Sequence, residues 1–230
     1  SPHFNFISQH YIELANLFDS LGHGQVLYVG PTTTAGGAAA IDYCQSVATP
    51  EGVVAYSKPL NQITPGSYSW LRVSLAYQNY NILYKSSVLP SADHMGSGTV
   101  ASFIGYDTYI SGYKINGTDY QPSSGAGGVG NHLQGYWGFQ TNVLGTNYFA
   151  DGQAPAGATT VPNPNFTNSP IPAGSCVVTG QFVASDGVTI APLVIPSTPT
   201  SDITVTISLS TNKSFEWIDT TPDGYYEPSA

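Results

Sequence analysis

The sequence predicts an all-β protein: a jelly-roll sandwich or barrel with a short N-terminal helix and a long loop-rich or small β insertion. From Gly24 onward, short apolar segments alternate with turns rich in Gly, Pro, Asn and Ser, which is typical of strands joined by hairpins and loops. About eight such strands with long connections fit the two Greek keys of a jelly roll, and an immunoglobulin-type sandwich ranks second. The 230 residues suit one domain over 1–230 that carries an inserted elaboration.

The N-terminal segment 7–18 has a helical pattern. Ile7, Tyr11, Leu14 and Phe18 follow one another at spacings of four, three and four residues, which places them on one apolar face of a helix. We therefore expect a short helix there that packs against the β domain.

The strands are predicted from apolar segments bounded by turn residues. The expected positions are 24–30, 67–85, 99–115, a hairpin at 176–184 and 187–195 around Ser-Asp-Gly, and a strand pair at 202–219. The last segment alternates best, with Ile203, Val205, Ile207 and Leu209 on one side. It predicts a central strand in which Val205 and Ile207 are buried.

The segment 120–175 is dominated by Gly, Pro, Asn and Ala, which predicts extended loops or a small inserted β module. It contains GAGGVG at 125–130, which has the spacing of a dinucleotide-binding turn, and Asp151 stands where a ribose-binding carboxylate belongs. That motif requires a strand before the glycines and a helix after them. Turn residues precede it and further glycines follow, so we expect a glycine loop without a nucleotide.

The composition is poor in charge and acidic. Only 8% of the residues are charged, and 5 basic against 14 acidic residues give a net charge of −9. Five scattered cations do not form the basic face that nucleic acids or anionic membranes require. With 16 tyrosines and few charges, the composition resembles that of protein interfaces, so we expect a surface rich in tyrosine that contacts other subunits.

Cys44 and Cys176 are the only cysteines, and they lack the spacing of a zinc site. The sequence leaves three alternatives open. The two cysteines form a disulfide within the chain, or they form disulfides between subunits, or they are small apolar side chains buried without a disulfide. Their separation is too wide for the usual disulfide between the sheets of an immunoglobulin domain.

Catalytic patterns are weak. The loop at 91–98 places Asp93 beside His94, but neighbouring residues of a strand point to opposite faces. Asp107 and Glu216 are the best candidates for a carboxylate pair of a glycoside-acting enzyme. We therefore expect no enzyme, no catalytic residues, no metal and no cofactor.

A jelly roll of this size, with a short N-terminal segment, a long elaboration and more acid than base, resembles the single-β-barrel major capsid proteins. These belong to membrane-containing icosahedral viruses of halophilic archaea and related bacterial viruses. The resemblance implies a virion shell subunit that assembles with itself and a second capsid protein. It also implies upright capsomers on an internal viral membrane, with 120–175 as a tower and no contact with the genome. Fourteen acidic residues are fewer than extreme halophiles usually carry.

Two other functions remain open from the sequence. One is a secreted carbohydrate-binding or carbohydrate-active β-sandwich, and the other is an extracellular filament or surface-layer subunit. A secretory leader in the gene would favour either of these, whereas an initiator Met directly before Ser1 would favour the capsid protein.

Overall fold

The structure is a computed structural model that describes residues 2–37, 40–86, 94–155 and 176–210, and it is an all-β fold. The predicted class is therefore confirmed. The strands are β1 (His3–Ala15), β2 (Gln25–Val29), β3 (Thr32–Thr33), β4 (Ala40–Asp42), β5 (Ala48–Pro50), β6 (Gly66–Tyr68), β7 (Trp70–Ser86), β8 (His94–Phe103), β9 (Asp107–Ile110), β10 (Tyr113–Ile115), β11 (Thr118–Tyr120), β12 (Gly130–Leu133), β13 (Tyr136–Val143), β14 (Thr146–Gln153), β15 (Cys176–Gln181) and β16 (Leu193–Ile195).

A curled antiparallel sheet of eight strands, about half a barrel, forms the centre of the fold. Its main order is β14-β13-β8-β7-β1-β2, and β5 pairs with β1. The long strand β7 organises the sheet because β1 pairs along one of its edges, while β8 and β15 share the other. Strands predicted at 24–30 and 67–85 correspond to β2 and β7.

An aromatic core covers one face of this sheet. The rings of Tyr77 and Phe103 lie 4.9 Å apart between centroids, and Phe103 contacts Tyr113 and Tyr136 at 5.1 and 5.3 Å. Tyr113 belongs to the short strand β10, so β10 packs on the main sheet through this cluster. Such aromatic contacts add to the free energy gained by burying the rings.

The tyrosines lie mainly inside the protein, which corrects the expectation of a surface rich in tyrosine. Seven are buried, and none of the other described tyrosines is exposed. The buried ones are Tyr11, Tyr68, Tyr77, Tyr80, Tyr84, Tyr113 and Tyr136. Composition alone misses this because tyrosine serves both cores and interfaces.

The N-terminal segment is strand β1, so the helix predicted at 7–18 is wrong. Strand β1 lies between β7 on one side and β2 with β5 on the other, and both of its faces are covered over Tyr11–Ala15. Burial on both faces removes the alternation that usually reveals a strand. Of the four residues assigned to a helical face, Phe18 lies beyond the strand and is 95% exposed.

The segment 202–210 belongs to no strand, so the predicted central strand is wrong where it is described. Val205 and Ile207 are each 41% exposed rather than buried. The second half of the predicted pair, 211–219, lies outside the described residues.

The first part of the segment 120–175 contributes strands to the main sheet and does not form a separate insertion. Strands β13 and β14 are the last two strands at one edge of the main sheet, and β13 pairs with β8 over Tyr136–Thr141. The alternation of β13 is obscured because its residues are buried on both faces apart from Asn142 and a half-buried Trp137. Residues 156–175 lie outside the described residues.

The Ser-Asp-Gly turn at 185–187 is confirmed. The carboxylate of Asp186 accepts hydrogen bonds from the backbone N–H groups of Val188 and Thr189, both at 2.9 Å, and Gly187 has φ 73°. The arms pair with each other only next to the turn, through an antiparallel bridge between Val183 and Ile190. Farther from the turn, β15 joins β7 and β16 joins β6.

Candidate functional site

The two cysteines are not joined to each other in the structure, which describes both. Cys44 lies in the 3-10 turn Tyr43–Gln45, where its exposed Sγ is 2.7 Å from the hydroxyl oxygen of Ser111. Cys176 begins β15, opposite Leu75 of β7. The interpretation of both residues as buried apolar side chains therefore fails for Cys44.

The structure describes only some of the residues considered for catalysis. His94 begins β8, whereas Asp93 and Glu216 lie outside the described residues. Asp107 begins β9, and burial raises the pKa of its carboxyl. Over the described ranges, no three His, Cys, Asp or Glu side chains come together as metal ligands.

A serine–histidine pair that the sequence did not predict lies between β1 and the turn after β4. The Nε2 of His10 is 2.8 Å from the hydroxyl oxygen of Ser46, and that hydroxyl donates to the carbonyl oxygen of Asp42 at 2.9 Å. His10 is fully buried, and burial lowers the pKa of its imidazole to about 4. An enclosed imidazole does not reach an external substrate, so this pair ties the turn to the sheet.

The glycine-rich loop at 125–130 leads into strand β12 instead of a helix. Its carbonyl at Gly128 lies 2.8 Å from the Nε2 of His132. Just before the loop, the backbone N–H of Ser123 donates to Asp151, which also accepts the hydroxyl of Tyr136 at 2.7 Å. Asp151 therefore fixes the loop over the aromatic core, which is a structural role.

A buried ion pair anchors the connection between β1 and β2. The Nη1 of Arg72 is 3.1 Å from the Oε1 of Glu13, and both side chains are almost completely enclosed. The guanidinium also donates to the carbonyl oxygens of Asp19 and Ser20, and Glu13 accepts the backbone N–H of Gly22. These charge-assisted hydrogen bonds hold the connection in one conformation.

The anchored connection presents two apolar side chains to solvent. Leu17 and Phe18 are 70% and 95% exposed, at the tip of a turn that we call the apolar loop (Asn16–Ser20). The turn is closed by the backbone N–H of Asn16, which donates to the carboxylate of Asp19 at 2.6 Å. Because removing such apolar side chains from water is favourable, the apolar loop is a candidate surface for contact with another molecule.

A groove of about 150 Å³, which we call the tyrosine groove, is lined by residues of β1, β2 and the segment from Val47 to Tyr56. Its walls include Ile12, Tyr28, Val47, Ala55 and Tyr56. The rings of Tyr28 and Tyr56 lie 5.2 Å apart between centroids, so the groove has an aromatic wall.

The segment Ile203–Leu209 is the third candidate surface, which we call the terminal segment. Its apolar side chains alternate with hydroxyl side chains, and Ile203 and Leu209 are 37% and 44% exposed. The structure gives this segment no partner strand among the described residues.

No family model, curated protein or solved structure matches this chain. The part of the chain that the structure describes also contains no helix long and apolar enough to span a membrane.

Sequence reasoning missed the apolar loop and its anchor. Phe18 fitted a helical face together with Leu14, and the isolated residues Glu13 and Arg72 gave no sign of pairing across 59 positions. The available signal was the scarcity of charge, because a lone acid and a lone base in strongly apolar segments seldom remain buried unless they are paired.

Proposed function

We propose that this protein is a structural subunit of a self-assembling shell, of the kind formed by viral major capsid proteins. For the type of all-β fold, we propose that its curled sheet is part of a jelly-roll-like sandwich. The sheet would supply the rigid body of the subunit, and the surfaces outside it would make the contacts between copies.

The terminal segment carries this proposal. It has the alternation of a half-buried strand, with apolar residues at 203, 205, 207 and 209 and hydroxyl residues between them. A strand without a sheet leaves backbone donors and acceptors in water and apolar side chains partly exposed. Pairing with the edge of a sheet in a second copy satisfies both, as in other cases of strand addition.

The sheet offers edges for such pairing. Strand β14 ends the main sheet as far as the structure describes it, and within the described ranges its eight residues Thr146–Gln153 pair only with β13. An open edge of this length is a template for a further strand. Its exposed Phe149 belongs to the apolar surface that an added strand would cover.

The charge distribution agrees with contact between copies. Two ion pairs lie within the described part of the subunit: Arg72 pairs with Glu13, and Lys114 lies 3.5 Å from Asp119. Few charges need to be desolvated when copies associate, which lowers the free-energy cost of burying the surface. The net charge of −9 still makes copies repel one another at low ionic strength.

The test is the native mass of the protein across protein concentration and salt, measured by light scattering or mass photometry. We expect large closed particles, with assembly weaker at low ionic strength. Ile207→Asn should raise the protein concentration required for assembly at least tenfold. The matched control is Leu144→Asn, at a site that is 96% exposed and has φ 51°, a conformation that Asn tolerates.

Hydrogen exchange adds a local readout. The amides of the terminal segment should exchange rapidly in dissociated protein and slowly in particles. A stable monomer of 24.2 kDa under every condition would refute the proposal and favour the secreted carbohydrate-binding alternative.

A further inference from the structure

The apolar loop and the tyrosine groove lie on different parts of the same subunit. Phe18 is 95% exposed, so it does not occupy the groove of its own chain. The ion pair of Glu13 and Arg72 holds the carbonyls of Asp19 and Ser20 in place beside it. A side chain presented on an anchored turn loses little conformational entropy when it binds, which favours its use as a contact.

The groove matches this side chain in size and chemistry. Its volume of about 150 Å³ accommodates a single aromatic side chain, and its lining includes Ile12, Val47 and Ala55. Tyr28 and Tyr56 form a wall on which a third ring packs edge-to-face or offset. The groove is therefore suited to a phenylalanine rather than to a charged or extended ligand.

Charge complementarity accompanies this fit. Lys58 does not line the groove but lies close to its wall, because its Nζ and the hydroxyl of Tyr56 donate to the same carbonyl oxygen, that of Leu27, at 3.2 and 2.6 Å. Asp19 immediately follows Phe18 on the apolar loop. A loop docked in the groove brings a carboxylate toward one of the few cations of the chain.

We propose that the apolar loop of one copy inserts Phe18 into the tyrosine groove of a second copy. This contact rests on the proposed shell function and specifies one of its interfaces. The proposed contact is head-to-tail, so a docked pair keeps one free groove on one copy and one free loop on the other, to which further copies bind. Such contacts continue until a ring or shell closes.

Cysteine pairing tests the contact directly. The background is the full chain with Cys44→Ser and Cys176→Ser, to which Leu17→Cys or Val47→Cys is added; Leu17 is 70% exposed beside Phe18, so the inserting ring is retained. Val47 is a suitable position because it lines the groove and is 62% exposed. Mild oxidation of the two variants mixed together should give a mixed dimer at least ten times more abundant than the homodimer of either variant. A chain carrying both substitutions should give a ladder of multimers.

The control replaces Leu17→Cys with Leu144→Cys, which is also exposed but distant in sequence from the loop. Equal cross-linking of Val47→Cys with both partners would show random collision and overturn the proposal. A homodimer of Leu17→Cys as the main product would show a symmetric contact between loops and overturn it too.

Two further outcomes separate this inference from the shell function. If particles form normally without the cross-link, the contact is wrong and the shell function stands; a monomer under all conditions removes both. Flotation with neutral phosphatidylcholine vesicles identifies the competing use of the loop. Vesicle binding that Phe18→Ser abolishes, without a cross-link to Val47→Cys, would assign the loop to a membrane instead.

Discussion

Acidification should destabilise the subunit through His10. The unfolded chain has an ordinary histidine pKa of 6.5, whereas burial lowers the pKa of folded His10 to about 4. The unfolded state therefore binds a proton first as the pH falls, and stability contributed by neutral His10 is complete above pH 6.5. It is lost progressively between pH 6.5 and about 4.

The magnitude follows from that interval. Each pH unit between the two pKa values removes about 1.4 kcal/mol, so the free energy of unfolding should fall by roughly 3 kcal/mol by pH 4 from this group alone. The environment supplies the reason: the Nδ1 of His10 has no hydrogen-bond partner among the described residues, and Gly30 lies directly against the imidazole. Among the described residues, only the charge of Asp42 favours the protonated imidazole, and its effect on the pKa is smaller than that of burial.

Urea unfolding from pH 7.5 to pH 4 measures this effect on dissociated protein. His10→Gln retains a donor for Ser46 and removes the titration, so its stability should fall less steeply than that of the parent. His23→Gln, at an exposed site, is the control and should follow the parent. Equal slopes for His10→Gln and the parent between pH 6.5 and 4.5 would refute the reasoning.

Three further changes test the described packing. Arg72→Leu should cost about 3–5 kcal/mol of unfolding free energy, because it leaves the carboxylate of Glu13 buried without its partner; Glu13→Gln in the same chain should recover part of that loss in urea unfolding, and no recovery would argue against the ion pair. Gly138→Ala should lower the melting temperature, because a Cβ there meets the hydroxyl of Tyr113, and Tyr113→Phe should relieve part of the loss. Iodoacetamide should modify Cys44 in the native protein, because its thiol is exposed; protection reversed only by a reductant would reveal a disulfide instead.

Local patterns predicted part of this fold correctly. Strands β2 and β7 were found because turn residues flank each of them and β-branched or aromatic side chains fill them. The turn at Asp186 was found because Asp-Gly supplies both a side-chain acceptor and a residue that tolerates positive φ. These signals lie within a few residues of one another, so they do not require knowledge of the rest of the chain.

The candidate surfaces were not predicted, because each depends on contacts between distant residues. Phe18 was assigned to a buried helical face and is exposed, since the ion pair between Glu13 and Arg72 ends β1 in a fixed turn. Ile207 was assigned to the core and is 41% exposed, since its segment pairs with no strand among the described residues. An exposed segment in which apolar and polar side chains alternate has the same sequence pattern as a core strand.

Composition and local turn patterns establish a charge-poor, acidic, all-β protein with defined turns, because backbone preference and composition are local properties. Which apolar faces are covered follows from tertiary contacts. Burial depends on which strands become neighbours, and the pairing of β1 with β7 joins residues more than fifty positions apart. That pairing places tyrosines in the core and leaves the apolar loop, the tyrosine groove and the terminal segment at the surface.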